Sequence, residues 1–117
     1  MCQLYTFEDI FNKLCEDYQG KKVQVLTKQD GVKIASFQIF VDRIDIKPLN
    51  KTQSKKWNKR GEKVGLIRVK NKTRNAINIP FLLGFNTMKA TFLKNGAVIN
   101  SMNMEFIIKK VNRKITA

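Results

Sequence analysis

Apolar residues in the first twenty positions recur with a helical period. Phe7, Ile10, Phe11, Leu14, Cys15 and Tyr18 follow the i, i+3, i+4, i+7 spacing of one buried stripe. Thr6 is placed to cap the first turn, Asp9 stands three residues on in a capping-box position, and Gly20 supplies a stop. This spacing predicts a helix over residues 6–19.

Beyond Gly20 the period drops to two, the period of a strand with one face buried. Val23 and Val25 alternate with polar residues up to Lys28-Gln29-Asp30-Gly31, a hairpin turn with Asp-Gly at its tip. The returning strand is marked by Ala35, Phe37, Ile39 and Val41, after which the pattern slips to Ile44 and Ile46. An odd-to-even slip of this kind predicts a bulge near Asp42, and Pro48 ends the strand. Residues 47–63 then lose all periodicity and read as a long, exposed, basic loop. Strand character resumes at Val64, Leu66 and Val69, followed by the polar turn Asn71-Lys72-Thr73-Arg74-Asn75. Ile77, Ile79, Phe81, Leu83 and Phe85 give the cleanest alternation, although Pro80 lacks an amide donor and marks an edge or a bulge. Met88, Ala90 and Phe92 lead into a second hairpin at Asn95-Gly96. Met102, Met104, Phe106 and Ile108 form the last inward row.

The expected fold is α+β and β-rich, a single domain over residues 1–117. An N-terminal helix precedes a β-rich region, 21–111, of five to seven mostly antiparallel strands in a curled sheet or small barrel, interrupted by the one long basic loop. A basic tail spans 109–117. At 117 residues and 43% hydrophobic the chain can bury an ordinary core without metal or disulfide staples. Cys2 and Cys15 show no metal-ligand spacing and, with no signal peptide evident, read as reduced thiols of a cytoplasmic protein. The longest apolar run, residues 80–85, is far too short to span a bilayer, and the one amphipathic helix is acidic, so no membrane partner is expected.

Charge changes this picture more than any motif does. The net charge is +14, and residues 47–74 carry eleven cations against the single acid Glu62. In the middle of that segment lies the only tryptophan, in Lys55-Lys56-Trp57-Asn58-Lys59-Arg60. Cations that neutralise phosphates beside a flat ring that offers a stacking face are what a nucleic-acid surface needs. The contact residues expected on this ground are Lys51, Lys55, Lys56, Trp57, Lys59, Arg60, Lys63, Arg68, Lys70, Lys72 and Arg74, with Lys109, Lys110, Arg113 and Lys114 auxiliary. The competing reading of Trp57 is a core or lid residue under the loop. Arg68 and Lys70 are equally readable as a solvated sheet face, which Arg43 would extend. The inward phenylalanines, Phe37, Phe81, Phe85, Phe92 and Phe106, read as core.

Enzyme chemistry has little to stand on in this sequence. The chain has no histidine, no glycine-rich phosphate loop, and only scattered acids outside the helix. Asp42 and Asp45 could hold a divalent cation but read better as a bulge and a charge partner. No cofactor is expected. Lysine outnumbers arginine 18 to 5, which argues against base-edge readout and for low sequence specificity. The expected function is therefore non-enzymatic nucleic-acid binding. Single-stranded DNA or RNA is favoured slightly, because no basic helix is available to enter a major groove. Service in replication or recombination of a phage or mobile element fits such a protein by association only. The alternative is a protein-binding inhibitor or accessory subunit acting on a nucleoprotein complex, with the acidic helix or the strand at Pro80 as its contact.

Overall fold

The computed structural model describes residues 2–57, 62–72, 74–83 and 88–111. Strand β1 (Cys2–Leu4) precedes helix α1 (Phe7–Tyr18). Then come β2 (Lys22–Gln29), β3 (Val32–Phe40), β4 (Arg43–Pro48) and a single helical turn, α2 (Lys51–Ser54). Five strands complete the chain: β5 (Val64–Asn71), β6 (Arg74–Leu82), β7 (Met88–Leu93), β8 (Gly96–Ser101) and β9 (Met104–Lys110).

These strands form two antiparallel sheets and no closed barrel. The larger has the order β1-β7-β8-β9-β2-β3 and the smaller β4-β5-β6. The expectation of one curled sheet or barrel of five to seven strands is thus corrected to two sheets and nine strands among the described residues. Val41 and Asp42 are the physical reason. Val41 still pairs with the larger sheet, its N–H donating to the Lys21 carbonyl at 2.9 Å, whereas the Asp42 N–H donates to the Lys70 carbonyl at 2.8 Å. The expected bulge near Asp42 is therefore corrected to a change of sheet between adjacent residues, and the one long returning strand to two, β3 and β4.

Helix α1 forms as its sequence requires, capped by Thr6, whose side chain accepts from the Asp9 N–H at 3.2 Å. Ile10, Leu14 and Tyr18 are fully buried on the predicted stripe. The helix is not the first element, because β1 precedes it and pairs with β7. It packs against β4, and Phe7 stacks on Phe81 of β6 with ring centroids 4.4 Å apart. The main core is shared by the helix and the inner faces of both sheets.

Of the three hairpin tips that lie wholly among the described residues, two depart from expectation in detail. Asp30 (φ 51°) and Gly31 (φ 79°) both adopt the left-handed conformation, as an Asp-Gly hairpin demands. In the β7–β8 hairpin Gly96 is already in the strand opposite Leu93, and the tip is Lys94-Asn95. A side chain at 96 would lie 2.6 Å from the Ile108 carbonyl oxygen, so this glycine serves close approach rather than turning. Met102, expected on the last inward row, instead forms the β8–β9 tip with Asn103, at φ values of 50° and 66°.

Candidate functional site

Sheet pairing sorts the cations of β4 and β5 onto one side. Opposed residues in an antiparallel pair share a face. Ile44, Ile67, Val69, Ile77, Ile79 and Phe81 take the inner face and are buried in the common core. The other face carries Arg43, Asp45 and Lys47 on β4, Leu66, Arg68 and Lys70 on β5, and Asn78 on β6. Arg43 and Lys47 are exposed. From residue 64 to the turn at Lys72, β5 covers about 26 Å, at roughly 3.3 Å per residue.

At the β5 end nearer Val64, this outer face becomes apolar. Leu49, Val64 and Leu66 form a second small core, and Trp57, Leu82 and Met102 pack against it. The indole is half-buried. Local backbone chemistry explains how it arrives there without any hydrophobic period. Asn50 and Gln53 cap α2 reciprocally, the Asn50 side chain accepting from the Gln53 N–H at 2.8 Å and the Gln53 side chain accepting from the Asn50 N–H at 3.2 Å. Ser54 is fully buried, and its hydroxyl accepts from the Val64 N–H at 3.1 Å. The Leu49 N–H donates to the Val64 carbonyl at 2.9 Å, and the Trp57 N–H to the Ser54 carbonyl at 3.0 Å. Residues 49–57 are therefore pinned to the start of β5, with Leu49 and Ser54 buried inside what the sequence presents as an exposed loop.

Lys51, Lys55 and Lys56 are exposed around this turn, as are Lys63 and Lys72. Arg68 and Lys70 are not free cations on a solvated face. The Arg68 Nε and Nη2 donate to the two carboxylate oxygens of Asp45 at 2.7 and 2.9 Å, and the Lys70 Nζ lies 3.2 Å from Asp45 Oδ2. The Arg68 fork, aided by Lys70 and opposed by partial burial, holds the Asp45 carboxyl below its ordinary pKa. Asp45 is thus a charge partner, of Arg68 and Lys70 rather than of the neighbouring Arg43. Arg74 opens β6 opposite Asn71. Lys59, Arg60, Arg113 and Lys114 lie outside the described residues, as does Phe85.

The two auxiliary lysines that can be placed do not join this face. Lys109 pairs with Gln24 and Gly96 and is exposed on the outer side of the larger sheet. The Lys110 ammonium lies over the Tyr18 ring, 5.7 Å from its centroid. Cys2 and Cys15 are free thiols, and burial pushes the Cys15 thiol above its ordinary value, which lowers its thiolate content. Among the described residues no helix is long and apolar enough to cross a membrane, and no group of three acids or cysteines is placed to hold a metal ion.

Against known proteins, the chain matches no family model, no curated protein and no solved structure at a significant level.

Proposed function

We propose that this chain is a non-enzymatic nucleic-acid-binding protein of low sequence specificity that favours single strands. Its contact surface in this reading is the outer face of β4-β5-β6 together with the α2 turn. One observation carries the reading. A half-buried tryptophan adjoins the same sheet face as four cations, Arg43, Lys47, Arg68 and Lys70, and is flanked by the exposed Lys55 and Lys56. Among the described residues of β4 and β5 on that face, Asp45 is the one acid. A charged track leading to an aromatic ring suits a flexible strand, whose phosphates can follow the cations while one base stacks. Lysine predominance suits phosphate attraction better than bidentate reading of base edges.

A salt titration of oligonucleotide binding, followed by fluorescence anisotropy on nuclease-treated protein, tests this. Neutralising about five to eight phosphates implies a log–log slope of roughly −4 to −6 on a single strand, at about −0.7 per phosphate. A slope flatter than about −1, or no binding near 50 mM salt, overturns the proposal.

A further inference from the structure

The two sheets have four edges, and three of them are managed. Strand β1 is only three residues long. Strand β4 carries Arg43, Asp45 and Lys47 and ends at Pro48. Strand β6 carries Pro80, which has no donor, and the Ser101 hydroxyl donates to the Pro80 carbonyl. Short edges, charged side chains, bulges and proline are the ordinary protections against unwanted strand pairing. The fourth edge, β3, is neither short nor broken by proline, and its protections, Lys33 and a bulge, both lie at its start. It is nine residues long and, among the described residues, pairs only with β2. Its one irregularity is a bulge: Thr27 pairs with Ala35 and Lys28 with Lys33, which leaves Ile34 as the extra residue. Past that bulge, residues 35–40 run regularly as Ala-Ser-Phe-Gln-Ile-Phe, with no charge, proline or glycine.

The side chains of this strand are as unusual as its backbone. Among the described residues the large exposed hydrophobics are Tyr5, Val32, Ile34, Phe40 and Leu93, so three of these five lie on β3. On its core side Ala35 and Phe37 are only half-buried. Next to it on the outer face, Leu26 and Ile107 stand side by side and Val98 follows, an apolar row that ends at Ser36.

We infer that β3 is a homodimerisation edge, pairing antiparallel with β3 of a second copy across a two-fold axis. An axis near Phe37 sets Ser36 opposite Gln38 of the other copy and brings each exposed Phe40 to the other copy's Ile34. A second copy is the occupant that suits this edge. A two-fold closes both open edges at once, whereas a strand from another protein brings a further edge that must itself be protected. The net charge of +14 would oppose self-association, yet the ladder from 34 to 40 holds no charge, so no like-charged pair enters it. The resulting dimer would present two basic faces to one polyanion, although the inference does not rest on nucleic-acid binding.

Sedimentation velocity and light scattering over a concentration series test it, on protein freed of nucleic acid. The expected species is twice 13.6 kDa. Its dissociation constant should fall as salt is added, because screening relieves repulsion between like-charged copies. That is the opposite sign from oligonucleotide binding, so failure of one reading is distinguishable from failure of the other. Ser36→Lys with Gln38→Lys alters two exposed positions and sets lysines opposite one another in the dimer. It should weaken association about tenfold or more and leave the circular dichroism spectrum unchanged. As a second measurement, amides of residues 35–40 should gain hydrogen-exchange protection as wild-type concentration rises. A wild type that stays monomeric at all concentrations would overturn the inference and leave the edge to a partner's strand. A dimer that disappears on nuclease treatment, or a double-lysine variant that dimerises like wild type, would overturn it equally.

Discussion

Trp57 gives the sharpest separation of packing from recognition, because the structure packs its ring and the proposed function asks the same ring to stack on a base. It is half-buried against the cluster of Leu49, Val64 and Leu66. Truncating a fully buried tryptophan to alanine costs about 3–5 kcal/mol, so a half-buried one should cost about 1.5–2.5 kcal/mol. At roughly 4 °C per kcal/mol for a domain of this size, Trp57→Ala should melt about 6–10 °C below wild type. Loss of the stacking face should weaken single-strand binding at least about tenfold, since stacking is worth about 1–3 kcal/mol per base. The salt slope should not move, because no phosphate contact is lost. Trp57→Leu separates the two effects: it refills most of the apolar volume but offers no flat ring. Its melting temperature should recover by more than half while its affinity stays low. Thermal denaturation and anisotropy with a labelled oligonucleotide, read on the same preparations, decide the matter. If leucine restores affinity along with stability, the indole only props up the α2 turn and the stacking argument fails.

Two further expectations bear on how the same sheet is held. A Cβ on Gly65 would lie 2.5 Å from the tip of the Phe81 ring, and that ring cannot retreat because Phe7 stacks on it at 4.4 Å. Gly65→Ala should therefore cost about 1–3 kcal/mol, or about 4–12 °C, and Phe81→Leu should relieve part of the loss in the double variant; an unchanged melting temperature would show that the aromatic pair yields freely. Asp45→Asn removes the acid that holds Arg68 and Lys70, so low-salt affinity should rise several-fold, and a fall would mean that Asp45 positions Arg68 for binding. Because the folded carboxyl titrates below its ordinary value, its stabilisation is present above about pH 3.9 and is lost as pH falls through the folded value. Denaturant melts should accordingly show wild type ahead of Asp45→Asn by about 0.5–1 kcal/mol at pH 7, after discounting for solvent screening, with the gap closing below about pH 4; a gap independent of pH refutes the coupling.

Much of the fold was legible because its elements obey periods that burial enforces. The α1 stripe, the Asp30-Gly31 hairpin, the slip at Asp42 and the edge position of Pro80 each follow from a residue that has few other places to go. What the periods could not show is partnership. The slip at Asp42 is visible in sequence, yet nothing local says that the chain leaves one sheet for another there, and this is why a single curled sheet was the natural expectation. The three residues of β1 are too few to display a period. Met102 continues an alternation that points it inward, but a two-residue tip at Met102-Asn103 lets Ser101 pair with Met104, and the methionine turns left-handed to allow it.

The candidate site was legible as composition and opaque as geometry, and the same physics accounts for both. Like charges so dense in sequence must be separated, screened or paired on folding, and counting residues cannot say which. The structure does all three. Lys55, Lys56, Lys63 and Lys72 stay in solvent. Arg68 and Lys70 share Asp45, an acid 23 residues from the arginine in sequence and its cross-strand neighbour in space. Trp57 gave no inward signal because its burial comes from Ser54 and the Asn50–Gln53 capping pair, polar groups that fasten a turn to β5 rather than an apolar stripe. A hydrophobic pattern reports only on elements that bury a face periodically. A side chain carried inward by hydrogen bonds of its neighbours leaves its trace in those neighbours instead, here an Asn-x-x-Gln box followed at once by a buried serine.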